Sequence, residues 1–290
     1  MTRTLLAVLI WLLVVALVGL GLWQLGQRQR IRTDERPLVV ATVPHVASWL
    51  KNILEPDAQV EVLVRGGQDV HDFNFSPATL KLTAQARAVV ANGAGLESWL
   101  PDLRQQIASV ALIDTSKAVE VWADDPHIWL DPVRAQAQVQ YASQELQKVF
   151  PELASRISAR TAEYLAKLEQ LDADFRTSLL TLPRQNFVAF HASFNYLAAR
   201  YGLKQTIHLV ERPGATITFG DIEELGEQLS EGGFETIFVE PGPLPDVAQT
   251  LADEFGLTTR VLDTLETASP EADSYVRLMR QNMAELVAGL

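Results

Sequence analysis

The chain has no cysteine, so it can form no disulfide, and any metal it binds must be held by nitrogen and oxygen rather than thiolate. Histidine is scarce, with five in 290 residues, and basic charge is in deficit, 24 Lys and Arg against 36 Asp and Glu. Residues 1–32 hold four of those basic residues and none of the acidic ones, leaving residues 33–290 with an excess of 16 negative charges. That balance argues against nucleic acid as a partner. No P-loop, Gly-x-Ser-x-Gly elbow or His-Glu-x-x-His motif is present, and "NGAGLES" lacks the third glycine of a dinucleotide fingerprint. Disorder is excluded too, because a hydrophobic content of 48% supplies one large core or two lobes of ordinary size.

Only one stretch is long, apolar and uncharged: Leu5 to Trp23, preceded by Arg3 and followed by "RQRIR". Its length lies between a long signal-peptide core and a short membrane helix, so residues 1–32 read as a signal peptide or an uncleaved anchor in contact with the membrane. Either form directs the rest of the chain to export. Arg28, Arg30 and Arg32 outnumber Arg3, which opposes an exported C-terminal side under the positive-inside rule.

Beyond "RTDERP", short apolar runs alternate with amphipathic stretches, the pattern of an α/β fold. "PLVVATV", "VEVLV", "AVVAN" and "VALID" are strands of a first lobe, residues 33–150, with helices in "VASWLKNIL", "SPATLKLTAQARA" and "GLESWLPDLRQQI". "NFVAF", "TIHLV", "TIFVE" and "TRVLD" are strands of a second, residues 184–290, separated by "SFNYLAARYG", "GDIEELGEQLSEGG" and "DVAQTLADEFG". Between them, residues 151–183 carry Leu153, Ile157, Tyr164, Leu165, Leu168, Leu171, Phe175 and Leu179 at helical spacing. With no glycine or internal proline, this predicts one long, stiff helix joining the lobes.

The polar residues fall where such a fold places ligands, outside the carboxyl ends of its strands. His71 follows "VEVLV", His191 ends "NFVAF", Glu240 ends "TIFVE" and Asp263 ends "TRVLD". His127 sits in "DDPHIWLDP", where Asp131 and Pro132 read as the N-cap and first residue of the helix "PVRAQAQVQYASQELQKVF". Three neutral imidazoles and one carboxylate can close a tetrahedral shell suited to Zn²⁺, whereas Mn²⁺ prefers more oxygen. Glu240, Asp125 and Asp72 are candidates to accept hydrogen bonds from the ring N–H groups and so fix which nitrogen faces the metal. His45 follows a strand and could approach the same crevice, whereas His208 lies within a strand-like run.

Four separated segments carry a family likeness: "RGGQDVHDFNFSPATLKLTAQARAVVANGAGLESWL", "DPHIWLDP", "FVAFHASFNYLAARYGL" and "TIFVEPGPLPDVAQTLADEFGL". In that order they resemble the zinc/manganese cluster of solute-binding proteins serving ABC-type metal importers. The resemblance implies two βα lobes, each with a four-stranded, mainly parallel sheet, bridged by a backbone helix with metal held in the interlobe cleft. It implies His71, His127, His191 and Asp263 as ligands, and zinc over manganese, since manganese binders commonly place glutamate at the third position. It further implies a non-enzymatic monomer, in the periplasm or at the outer face of the inner membrane, delivering its ion to a membrane permease. "SKAVEVWADD" is short and histidine-free where many zinc members carry a long histidine-rich loop. Two other functions remain open from the residues: a zinc hydrolase with water at an open fourth position, and a membrane-tethered adhesin or metallochaperone.

Overall fold

The computed structural model describes residues 36–290 other than 66, 69, 72, 123–124, 211–218 and 243–245, and residues 37–290 form one compact unit. The apolar N-terminal run therefore lies outside the described residues. Among those described, no helix is long and apolar enough to cross a membrane.

All eight expected strands form. In the first sheet β1 (Leu38–Ala41), β2 (Gln59–Val62), β3 (Ala88–Ala91) and β4 (Ala111–Asp114) are parallel in the order β2-β1-β3-β4. The second sheet repeats that order with β5 (Asn186–His191), β6 (Lys204–Val210), β7 (Thr236–Val239) and β8 (Thr258–Val261), arranged β6-β5-β7-β8. β3 and β7 are buried at every position, as parallel strands covered on both faces must be. In each sheet the strand order reverses at the central pair, so a crevice opens beyond the carboxyl ends of β1 and β3, and of β5 and β7.

The helices start where the chain supplies a cap. Pro44 opens α1 (Pro44–Leu54), and a reciprocal Ser76–Thr79 capping box opens α2 (Pro77–Gln85). The third helix of the first half, α3 (Leu100–Gln106), is shorter than "GLESWLPDLRQQI" suggests. Gly93, Ala94 and Gly95 all have positive φ and carry the chain through a turn before it begins. Asp131 caps α4 (Pro132–Val149) by accepting from the Val133 N–H at 2.9 Å.

The long helix is α5 (Ala154–Leu179), preceded by a 3₁₀ turn at Pro151–Leu153. It buries Ile157, Thr161, Tyr164, Leu168, Leu171, Phe175 and Leu179, a stripe spaced by threes and fours. It stops short of Pro183, whose ring disfavours helix in the preceding residue. After β5 come α6 (Asn195–Tyr201), α7 (Phe219–Gly232) and α8 (Asp246–Phe255).

A helix beyond those expected from the sequence pattern is α9 (Ser274–Gly289). Its inward face is Tyr275, Met279, Asn282 and Leu286, so the apolar stripe is broken by a buried asparagine and by few large residues.

One hydrophobic cluster joins α1, α4, α5 and α9 to strands of both sheets, with Leu50, Leu146, Phe175, Phe187, Phe238, Tyr275 and Leu286 among its members. Polar ties cross between the halves. The Trp129 indole donates to the Thr264 carbonyl at 2.8 Å, the Tyr275 hydroxyl to the Trp129 carbonyl at 2.6 Å, and the Ser48 hydroxyl to the Ala272 carbonyl at 2.9 Å. Arg200 on α6 grips the Asp131 carboxylate through Nε and Nη2, at 2.9 and 2.7 Å to Oδ2. Asp131 is 1% exposed. Removing Arg200 leaves the buried Asp131 charge with only Arg134 Nε, 3.5 Å away, and the Val133 N–H, so Arg200→Ala is expected to lower unfolding free energy by about 3 kcal/mol, the low end for such pairs. Urea denaturation of the metal-free protein measures it; an unchanged midpoint would show that the pair contributes nothing.

Candidate metal centre

The crevice is assembled from loops held by their own packing. The loop after β2 brings in His71, and its surroundings are fixed by an aromatic cluster: the Phe73, Phe75 and Trp99 ring centroids lie 5.1 to 5.7 Å apart. The Trp99 indole donates to the Val70 carbonyl at 2.9 Å, and the Ser98 hydroxyl to the His71 carbonyl at 3.2 Å. Gly93 permits the neighbouring turn after β3, because a Cβ there would fall 1.8 Å from the Asp114 carboxylate.

His127 precedes a buried 3₁₀ turn, Ile128–Leu130, that leads into α4. Its ring is nearly inaccessible, with Nδ1 2.8 Å from Asp125 Oδ1 and Nε2 3.4 Å from Glu266 Oε1. The same Asp125 oxygen accepts from the His127 backbone N–H at 3.0 Å, so one carboxylate fixes both ring and main chain. His191 ends β5, is 2% exposed, and meets the His127 ring edge to face at 4.8 Å between centroids. Its Nδ1 lies 2.9 Å from Glu240 Oε1, which follows β7, the strand paired with β5. His191 and Glu240 thus face each other across the switch point of the second sheet.

Among the described residues, one group of His, Asp and Glu side chains is placed to hold an ion: His71, His127 and Glu266, with ligand atoms all within 4.8 Å of one another. Glu266 is not among the candidates drawn from the sequence. His191 is not in the group, and neither is Asp263, which follows β8. Asp263 Oδ1 accepts from the Leu265 N–H at 2.7 Å, and its backbone N–H and carbonyl are both taken by the Asn282 side chain on α9. This Asx turn, with Leu265 at φ 64°, reverses the chain and returns Glu266, 5% exposed, toward the histidines. The available signal was a turn-forming aspartate with a second carboxylate three residues later. Asp72 lies outside the described residues.

His45 and His208 are also outside the group, although His45 is near enough to feel the charges of Glu266 and His127. His208 is half-buried in β6. His45, on the first turn of α1, is 1% exposed, stacks on Trp129 at 4.2 Å, and approaches Asn92 Oδ1 at 3.3 Å through Nε2. Burial outweighs that contact and holds its pKa down to about 3, so it is neutral.

The electrostatics of the centre are those of interleaved opposite charges. Burial pulls the His127 pKa down, but hydrogen bonds and charge from Asp125 and Glu266 outweigh it and raise the pKa to about 9. Burial pushes the Glu266 carboxyl up, and His127, His191 and His71 more than reverse this, leaving it below its ordinary value. Asp263 behaves oppositely: burial raises it, the Leu265 N–H pulls back, and Glu240 and Glu266 raise it further.

Two parallel sheets with a recessed nest of imidazoles and carboxylates between them define an α/β binding protein with a nitrogen-rich metal centre. The chain belongs to the family described as "Zinc-uptake complex component A periplasmic", whose model matches residues 39–289. It is 29% identical to the zinc-binding protein AdcA of Streptococcus pyogenes serotype M6 over 298 residues, covering 91% of this chain and 58% of that protein. It is 28% identical to the high-affinity zinc uptake system protein ZnuA of Bacillus subtilis, with 86% of each covered. The Zn(II)-bound ZnuA-like domain of Streptococcus pneumoniae AdcA superposes with a TM-score of 0.79 at 28% identity, over 88% of this chain and 98% of that one.

In the metal-free protein the His127 ring carries a proton at neutral pH. Because its folded pKa lies above the unfolded value of 6.5, its stabilisation is full below pH 6.5 and is lost as pH rises through about 9. Titration of the ring by NMR should give that midpoint, and Asp125→Asn should bring it down; a wild-type midpoint at or below 6.5 would contradict the arrangement.

Proposed function

We propose that the exported part of the chain captures Zn²⁺ in the crevice between the two sheets and hands it to the permease of an ABC-type importer. The ligands are His71, His127, His191 and Glu266, with Glu266 in the place that the sequence reading gave to Asp263. The observation that carries this is the separation of 3.4 Å between His127 Nε2 and Glu266 Oε1. Two donors about 2.0–2.1 Å from a tetrahedral zinc stand about 3.3–3.4 Å apart, so the pair already has the edge length of a zinc shell. Asp125 and Glu240 receive the Nδ1–H groups of His127 and His191, which leaves Nε2 of each ring as the nitrogen that faces the ion.

Three imidazoles with one carboxylate favour zinc over manganese. The family and the zinc-binding relatives support the same ion and an extracytoplasmic role in uptake. The chain spans 58% of the length of the AdcA relative, so transport is proposed from the matched region alone. In this reading residues 33–150 and 184–290 are the metal-binding lobes, residues 151–183 join them, residues 1–32 are the signal peptide or anchor, and the working form is a monomer. A hydrolase would need an open coordination position for water, and a buried glutamate at the fourth corner removes it. No catalysis is assigned.

Zinc must displace the His127 proton, so uptake near pH 7.5 should release about one proton, and affinity should climb as pH approaches 9. Calorimetry in buffers of different ionisation enthalpy reads that number directly; release of none would contradict the protonation scheme.

Native mass spectrometry and competition titration separate the two carboxylates. The expected result is one zinc per wild-type chain, a loss of about 100-fold or more in affinity for Glu266→Gln, at the upper end of what even outer-sphere changes cost, and little change for Asp263→Asn. Undiminished affinity in Glu266→Gln would refute the ligand assignment, and failure of the gene to restore growth of an uptake-deficient strain at limiting zinc would refute the transport role.

A further inference from the structure

The short segment before His127 is fastened to the second half of the molecule by an aromatic and cationic stack. The Trp122 and Tyr196 rings lie 4.4 Å apart and 21° from parallel, although Trp122 is 39% exposed. The Arg134 guanidinium, one turn into α4, sits 4.9 Å from the Trp122 ring and 4.5 Å from the Tyr196 ring. Arg134 also donates through Nη1 to the Glu120 carbonyl, and its Nε lies 3.5 Å from the Asp131 carboxylate.

The Tyr196 hydroxyl makes two further bonds, accepting from the Trp122 backbone N–H at 2.7 Å and donating to the Asp125 carbonyl at 3.0 Å. Its neighbour Asn195 donates through Nδ2 to Asp125 Oδ2 at 3.1 Å. Asp125 is therefore held by α6 at its main chain and at the carboxylate oxygen that His127 does not use.

We infer that Trp122, Tyr196 and Arg134 are positioning residues for the metal centre: they act through Asp125 to set the orientation of His127 and so the residence time of the bound ion. Stacking and cation–π contacts supply stiffness at a half-exposed place where apolar burial cannot. The hydroxyl of Tyr196 then converts that stiffness into a fixed position for the Asp125 main chain. Trp122, Tyr196 and Arg134 do not ligate; they determine how well a ligand is aimed. The inference rests on the zinc-capture reading above.

The test is stopped-flow release of zinc to a chelator from the full chain. Tyr196→Phe keeps the ring stack and removes the two hydroxyl bonds, and Trp122→Ala removes the stack. Each should speed release roughly three- to tenfold, less than loss of a direct partner of a ligating histidine, with the association rate unchanged. Trp122→Phe should restore most of the wild-type rate.

Because the stack acts through Asp125, Tyr196→Phe should add nothing in an Asp125→Ala background, a non-additivity expected only of coupled groups. Wild-type release rates in both variants, or the same acceleration with and without Asp125, would overturn the inference. Should Tyr196→Phe fail to fold, the half-exposed Trp122→Ala, with and without Asp125, decides the question alone. If the wild type binds no zinc, the capture reading itself falls and takes this inference with it, whereas zinc binding with unaltered release in the variants sinks only the positioning role.

Discussion

The centre depends on pairing buried imidazoles with buried carboxylates, each sign making the other tolerable in a place neither could occupy alone. His127 is nearly inaccessible and still favours its charged form, because Asp125 on one side and Glu266 on the other outweigh the cost of burial. Glu266 stays ionised under its own burial because three histidines surround it. His45, similarly enclosed, hydrogen-bonds an amide and feels Glu266 only through its charge, which does not offset burial, so it is neutral. Burial alone therefore does not decide protonation here; the partner does.

The fold serves this pairing through repetition. Both sheets have the same strand order and the same reversal at their central pair, so each offers a crevice at its carboxyl edge. The first sheet contributes His71 from the loop after β2 and His127 from the segment after β4. The second contributes His191 from the end of β5 and Glu266 from the turn after β8. Of these, His71, His127 and Glu266 bring their ligand atoms within 4.8 Å of one another despite their distance in sequence, and the bonds from Trp129, Tyr275 and Ser48 tie the two halves together.

Much of this was legible in the sequence, for identifiable reasons. Most strands were legible as short apolar runs bounded by turn residues, with β2 and β8 carrying Glu61 and Arg260 inside them, and the long helix was legible because apolar residues recur at helical spacing with no glycine or proline to interrupt it. Pro132 behind Asp131 gave the cap of α4 directly. His71, His191 and Glu240 stood out as candidates from their places after strands, and His127 from the loop ahead of α4. Glu266 did not, because what places it is a turn made by the side chain of Asp263, and hydrophobic periodicity carries no information about turns of that kind. α9 was missed because its buried face includes Asn282, which is there to bind the Asp263 backbone, and the polar residue hid the helical stripe. Both omissions trace to one local device: an aspartate and an asparagine spending their hydrogen bonds on shaping a loop.

The continuous core through α5 has a consequence for energetics. When two domains swing shut around a solute, part of the binding free energy is used to bring them together and is returned on opening. Here α1, α4, α5 and α9 share one apolar interior with both sheets, so there is no separate interface to close. An ion held in the crevice would then be retained without any of its binding free energy being used to bring two domains together.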